Sequence, residues 1–168
     1  LQHYEYSLKI YIKFKDNKQR AKQLVNIGNI YYQKGELKQA LKYYLQALDI
    51  HKEIGYLQGQ ANVLSCIGNI YSDKGELRQA LKYYLQALDI HRQIGYLQGQ
   101  AADLGNIGNI YYQKGELEQA LDYHLQALNI HREIGYLQGQ AADLGNIGMI
   151  YQAKGELEQA KAYDKQAT

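Results

Sequence analysis

The sequence has no proline and no tryptophan, and only one cysteine, one methionine and one phenylalanine in 168 residues. Each shortage excludes something. Proline costs about 3 kcal/mol in a helix interior, so a chain without any is free to run in long helices. A lone cysteine, Cys66, cannot close an internal disulfide. That suits a reducing compartment, and a cytoplasmic location is the expectation. Charge of one sign is also scarce. Nineteen basic against seventeen acidic residues leave +2, too little to predict a nucleic-acid or membrane partner. No apolar run approaches the roughly 20 residues that cross a bilayer, and no secretion signal is visible. The chain begins at Leu1 rather than methionine, which is compatible with a further segment upstream.

What is present is apolar and repetitive. With 46% hydrophobic residues and eighteen tyrosines, the chain is far too apolar for a disordered tail. The segment from Ile54 to Ala61 returns at Ile94 to Ala101 and again at Ile134 to Ala141, a period of 40 residues. Residues 55–94 and 95–134 differ at 11 of 40 positions, among them Ser65 against Gly105. Such self-similarity marks one supersecondary unit, copied and stacked. The period divides the chain into units at 16–54, 55–94, 95–134 and 135–168. Residues 1–15 align with 41–55 and are expected to be an orphan second helix of a preceding unit.

Two helical patterns fill each unit. Leu24, Ile27, Gly28 and Tyr31 recur at three- and four-residue spacing, which predicts a helix over about 19–33. Gly35 can end it in the left-handed conformation, and Glu36 then opens the next helix where its charge opposes the dipole favourably. A second apolar stripe, Leu37, Ala40, Leu41, Tyr44, Ala47, Leu48 and Ile54, predicts a helix over about 37–54, closed by Gly55. Each helix buries one stripe, so stability must come from stacked neighbours. Gly28, Gly68, Gly108 and Gly148 fall inside the first helices, where each costs about 0.5–1 kcal/mol relative to alanine. The expected compensation is close backbone approach, with Ala40, Ala80, Ala120 and Ala160 as the small partners. Tyr43, Tyr83 and Tyr123 are expected at the contact to the following unit.

The set Leu24, Ile27, Gly28, Tyr31, Ala40, Tyr44 and Ala47, repeated as Leu64, Ile67, Gly68, Tyr71, Ala80, Tyr84 and Ala87, resembles the tetratricopeptide repeat signature in residue type and spacing. In the third and fourth units His124 and Asp164 replace the aromatic of the second helix. The proline that often follows the second helix is absent, and each unit is longer than usual. The longer unit, with Asn-Ile-Gly-Asn in its first helix, is similar to Pins-type polarity adaptors and to prokaryotic arrays attached to signalling ATPase or protease modules. The resemblance covers essentially the whole chain. It implies an all-α, right-handed superhelical solenoid of antiparallel helix pairs, whose first helices line a concave groove that binds extended or helical peptides.

First-helix positions not used for packing should then face the groove. They are Asn26, Asn29, Tyr32 and Gln33 in the first unit, and Asn69, Ser72 and Asp73 in the second. The third contributes Asn106, Asn109, Tyr112 and Gln113, and the fourth Asn146, Met149, Gln152 and Ala153. An asparagine amide donates and accepts, matching a peptide backbone of any sequence, and tyrosine adds rigid apolar area. Against this, copied units repeat asparagine simply because they were copied, or use it to cap and bridge helices. Gly105 and Gly145 stand where Val25 and Ser65 stand earlier. They could open a notch for a ligand or be tolerated drift. Tetratricopeptide domains that capture carboxylate tails place Lys or Arg four residues before the groove asparagines. Here those places hold Val25, Ser65, Gly105 and Gly145, so an acidic tail is not the expected ligand.

No catalytic set emerges. His51, His91 and His131 recur near the end of the second helix, where the dipole favours them. As ligands to one metal they are too far apart, since packed helices lie 8–10 Å from one another, and His124 with His131 lacks an evident carboxylate or thiolate. Glu116 with Glu118, and Glu156 with Glu158, sit two apart and do not face each other on a helix. Cys66 has no histidine beside it, and no phosphate-loop element occurs. Neither a metal nor a cofactor is expected, and the chain is read as a non-enzyme.

The ends differ. Lys161 and Asp164 make the last helix more polar than its predecessors, as a terminal cap requires. Leu1, Tyr4, Leu8 and Ile10 instead form an apolar stripe, read either as a cut through a longer chain or as a surface for head-to-tail self-association. The expected function is a peptide- or protein-binding scaffold, with Asn26, Asn29, Tyr32, Asn69, Asn106, Asn109, Tyr112, Asn146 and Met149 lining the groove. The alternative is a spacer or self-associating arm of a larger signalling protein.

Overall fold

The computed structural model describes the backbone of residues 2–167 and the side chains of residues 15–166. Eight helices follow one another: α1 (Gln2–Gln33), α2 (Leu37–Glu53), α3 (Leu57–Asp73), α4 (Leu77–Gln93), α5 (Leu97–Gln113), α6 (Leu117–Glu133), α7 (Leu137–Ala153) and α8 (Leu157–Ala167). Each odd helix packs on the even helix after it, and each even helix packs on the next odd one. The three-residue connections force consecutive helices to run antiparallel. First helices also touch directly, α3 against α5, and so form one continuous surface of the solenoid.

The turns explain the regularity. Gly35 has φ 75° and Gly55 φ 66°, the left-handed region that L-residues rarely adopt. Gly35 N–H donates to Tyr32 O at 2.9 Å and Glu36 N–H to Tyr31 O at 2.9 Å. This bond pair satisfies two of the carbonyls that a helix end otherwise leaves open. The same pair recurs at Gly55 and Tyr56. Position 15 holds lysine where position 55 holds glycine. Here the structure corrects the expectation of a separate orphan helix: α1 runs unbroken from Gln2 to Gln33, because the residue that ends the other second helices is missing. The apolar stripe of Leu1, Tyr4, Leu8 and Ile10 lies outside the residues whose side chains are described.

The core is built of small residues and branched aliphatics. Ala40, Ala47, Ala61, Ile67, Ala80, Ala87, Ile107 and Ala120 are fully buried. Three clusters follow one another along the array, each joining residues of consecutive units. The mid-helix glycines serve rings, not the alanines expected. A Cβ on Gly28 would lie 2.6 Å from Tyr44 Cε1, one on Gly68 2.6 Å from Tyr84 Cε1, and one on Gly108 2.7 Å from His124 Cδ2. At these three positions an aromatic ring packs against the bare backbone, which offsets the helix cost of the glycine. At Gly148 the neighbour is Asp164.

Tyr43, Tyr83 and Tyr123 also differ from expectation. Tyr43 stacks on Tyr31 of its own unit with ring centroids 5.4 Å apart, and Tyr83 stacks on Tyr71 at 5.3 Å. Tyr123 on Tyr111 and Tyr163 on Tyr151 repeat the arrangement. Lys74 and Lys114 lie over the first ring of their pairs, where the ring face attracts a cation. These stacks lock the two helices of each hairpin together.

Candidate functional site

The first-helix surface carries the groove residues, and tertiary contacts sort them into two kinds. Some are already engaged. Tyr44 Oη donates to Asn29 Oδ1 at 2.7 Å, and Tyr84 Oη donates to Asn69 Oδ1 at 2.6 Å. These asparagines hold the core tyrosines in place, and each still has an amide NH2 to offer. Tyr32 Oη donates to Asp73 Oδ2 at 2.6 Å, bridging α1 to α3. Burial first, and then that hydrogen bond, push the Tyr32 hydroxyl up to about 12.

Others are unengaged. Asn26 and Asn109 are exposed, Asn106 and Asn146 half-buried, and Tyr112 and Met149 present large apolar surface, Met149 with 49% exposure. Between α3 and α5 a hollow of about 280 Å³ brings Asn69, Asp73 and Tyr84 together with Asn106, Asn109 and Tyr112. His124 replaces the tyrosine that would otherwise occupy Asn109, so this hollow has a free amide on one wall. Asn26 and Asn29 of the first unit and Asn146 and Met149 of the fourth do not line it. The Gly105 position is open, with Asp143 Oδ1 3.8 Å from where its Cβ would be, and Gly145 faces open space.

A second set of contacts was not foreseen. His91 and His131 are buried, and each meets a carboxylate from the first helix of the next unit. His91 Nδ1 lies 2.7 Å from Asp103 Oδ2, and His131 Nδ1 lies 2.7 Å from Asp143 Oδ2. Asp103 is 1% exposed and also accepts from Ser65 Oγ at 2.6 Å. His91 Nε2 lies 3.1 Å from Asn62 Oδ1. Burial pushes the Asp103 carboxyl up, while the bonds from His91 and Ser65 pull it back down. At the third junction Asp143 Oδ1 reaches His124 Nδ1 at 3.4 Å as well, so a carboxylate does join His124 and His131, contrary to the sequence reading. The signal was present: Asp103 and Asp143 are the charged residues of an otherwise apolar stripe, twelve positions after a histidine.

Cys66 stands in the place of Asn26 and Asn106. Burial pushes its thiol up, partly opposed by a hydrogen bond with Tyr44, which disfavours the reactive thiolate. Among the described residues no helix is long and apolar enough to cross a membrane.

Comparison with known proteins fits this architecture. The family profile described as tetratricopeptide repeat matches residues 19–93, 59–133 and 100–168. No curated protein matches the chain. Among solved structures, BtubC (BKLC) from P. vanneervenii superposes with TM-score 0.80 at 22% identity, over 88% of this chain and 61% of that one. The apo form of RapI gives TM-score 0.83 at 20% identity, over 90% of this chain and 42% of its own. Aspartyl phosphate phosphatase F from Bacillus subtilis gives 0.86 at 20% identity, over 90% and 40%. The chain thus spans less than two thirds of each of these structures, and the likeness is one of fold.

Proposed function

Because the chain belongs to the tetratricopeptide repeat family, we propose that it is a protein-interaction scaffold that holds an extended peptide segment on its first-helix surface. The hollow between α3 and α5 carries this reading. There the unengaged amides of Asn106 and Asn109 stand beside Tyr112 and the NH2 of Asn69. Amides at this spacing match the alternating donors and acceptors of a peptide backbone, while Tyr112 supplies flat apolar area at low entropic cost. The chain as a whole is nearly neutral, at +2, so main-chain hydrogen bonding and ring contact carry the affinity. No catalytic step is assigned to the chain.

The test is capture of a partner by the chain beside an Asn106→Ala, Asn109→Ala variant. Neither side chain makes a hydrogen bond within the described residues, so the variant should fold as the original does, checked by circular dichroism. A partner bound by the original and lost by the folded variant supports the groove. Equal capture by both would favour the spacer or self-associating arm instead.

A further inference from the structure

The three histidine junctions are not equivalent, and the odd one is open. His91 and His131 each have a carboxylate 2.7 Å from Nδ1. At the first junction Val63 stands where Asp103 and Asp143 stand later, Val25 where Ser65 stands, and Lys22 where Asn62 stands. His51 is 5% exposed, and among the described residues no carboxylate bonds to it. Its Nδ1 is the buried side-chain nitrogen or oxygen that lacks a hydrogen-bond partner among the described residues. A buried polar group left unpaired costs stability; a native chain that keeps one invites the question of what pairs with it.

A hollow of about 560 Å³ opens at this histidine, between α1 and α3. Lys15, Lys18 and Lys22 lie along its α1 side, and among the described residues no acidic side chain lines it. Tyr56 holds the arrangement together: its ring packs edge-on to His51 with centroids 5.3 Å apart, and Lys18 Nζ sits over that ring, 4.2 Å from its centroid. Gly59 lines the hollow beside this edge of the ring, and a Cβ there would lie 2.7 Å from His51 Nδ1, so any larger residue would press on that nitrogen. Burial, and then Lys18, lower the imidazole below its ordinary range, so near neutral pH it is an uncharged ring able to present one N–H donor.

We propose that this hollow is a carboxylate-binding site, in which the ligand supplies from outside the acceptor that Asp103 and Asp143 supply from within at the other two junctions. His51 donates to one carboxylate oxygen, and Lys18 and Lys22 balance the charge. Carboxylate is the chemistry chosen because the two matching imidazoles, with the same glycine and tyrosine around them, each take one. Lys22 stands four residues before Asn26, whereas Lys15 and Lys18 lie earlier on α1, so a reading confined to Val25 and its equivalents misses all three. The carboxylate can be free in solution or be an acidic side chain of a bound peptide, and the second source extends the groove reading while the first is independent of it.

The experiment is an NMR titration of the 15N-labelled histidine rings of the full chain, at matched ionic strength in chloride. One arm adds glutarate, one adds an acetylated, amidated Ala-Ala-Glu-Ala-Ala peptide, and one adds inorganic phosphate. The expected result is a saturable shift of the His51 ring signals with glutarate, the peptide or both, while His91 and His131 stay still. Val63→Asp, which builds the acceptor in, should abolish the shift, and Lys18→Gln with Lys22→Gln should weaken binding by about tenfold or more, as loss of a charged hydrogen bond does. Response to glutarate alone assigns a free carboxylate; response to the peptide alone assigns a peptide side chain. No saturable His51 shift with either probe overturns the proposal, as does a phosphate response equal to that of the carboxylates or binding unchanged in the folded lysine variant. Because the groove asparagines take no part, an Asn106→Ala, Asn109→Ala chain should show the same His51 response, which separates this site from the groove.

Discussion

The first and second junctions of the array are built from the same helices, the same turn and the same tyrosine, yet one is closed and the other open. At the second, Asp103 ties His91 and Ser65 across two units with both bonds shorter than 2.8 Å. At the first, Val63 and Val25 leave His51 without an acceptor and a hollow beside three lysines. A repeat protein can therefore keep its fold while two or three substitutions turn an inter-unit clasp into a cavity. Nearest-neighbour stacking supplies most of the stability, so a single junction is free to carry something else.

The largest expected effect comes from making the second junction resemble the first. Asp103→Val takes the partner from a buried imidazole nitrogen, leaves Ser65 Oγ only Ala61 O to donate to, and should lower the unfolding free energy by about 3 kcal/mol, read by urea denaturation. If the loss is no more than that of an exposed substitution, the His–Asp clasp is not a stabilising contact. Next in size is Gly68→Ala, whose new Cβ would meet the Tyr84 ring at 2.6 Å. Overpacking of this kind should cost about 2 kcal/mol. A Gly68→Ala, Tyr84→Leu double variant that recovers part of the loss would identify the ring as the cause.

Making the first junction resemble the second should work in the opposite direction. Val63→Asp gives His51 an acceptor and should stabilise by about 1 kcal/mol, measured by the same denaturation. The pH dependence of the two proteins should then part. His51 is held below its ordinary value by burial and Lys18, so the unfolded chain binds a proton more readily than the folded one. Stability is thus expected to fall as pH drops below about 6.5, the ordinary imidazole value. Val63→Asp or His51→Gln should flatten that slope, and a slope left intact in both would place its origin elsewhere. The smallest effect concerns what the junctions share. A double-mutant cycle on Tyr71 and Tyr83 should give a coupling near 1 kcal/mol for the stacked pair, and a value near zero would make the stack mere area burial.

Much of this molecule is legible in residue order. A 40-residue period, the glycines at 35 and 55 and the Leu-Ile-Tyr spacing specify helices, turns and stacking, because these depend on contacts within a few residues of one another. Lys15 in place of a turn glycine also foretold that α1 would not break there, though the repeat alignment hid it. Groove positions follow from which face of the first helix is left after packing. The asparagines were harder to read: Asn29 and Asn69 match Asn109 in sequence, but the first two accept from a tyrosine hydroxyl and the third does not, because His124 has no phenol and its Nδ1 lies 3.4 Å from Asp143 Oδ1 instead.

Only the tertiary structure decided which side chains meet across a junction. His91 and Asp103 are joined because the last turn of α4 packs against α5 of the following unit, a relation set by how helix pairs rotate on stacking. The same geometry put a ring on Gly28, Gly68 and Gly108 and a carboxylate on Gly148, and it brought the lysines of α1 to the histidine whose junction carries Val63 in place of an aspartate. Periodicity determines which faces are buried; the angle and depth at which those faces meet determine which polar groups find partners.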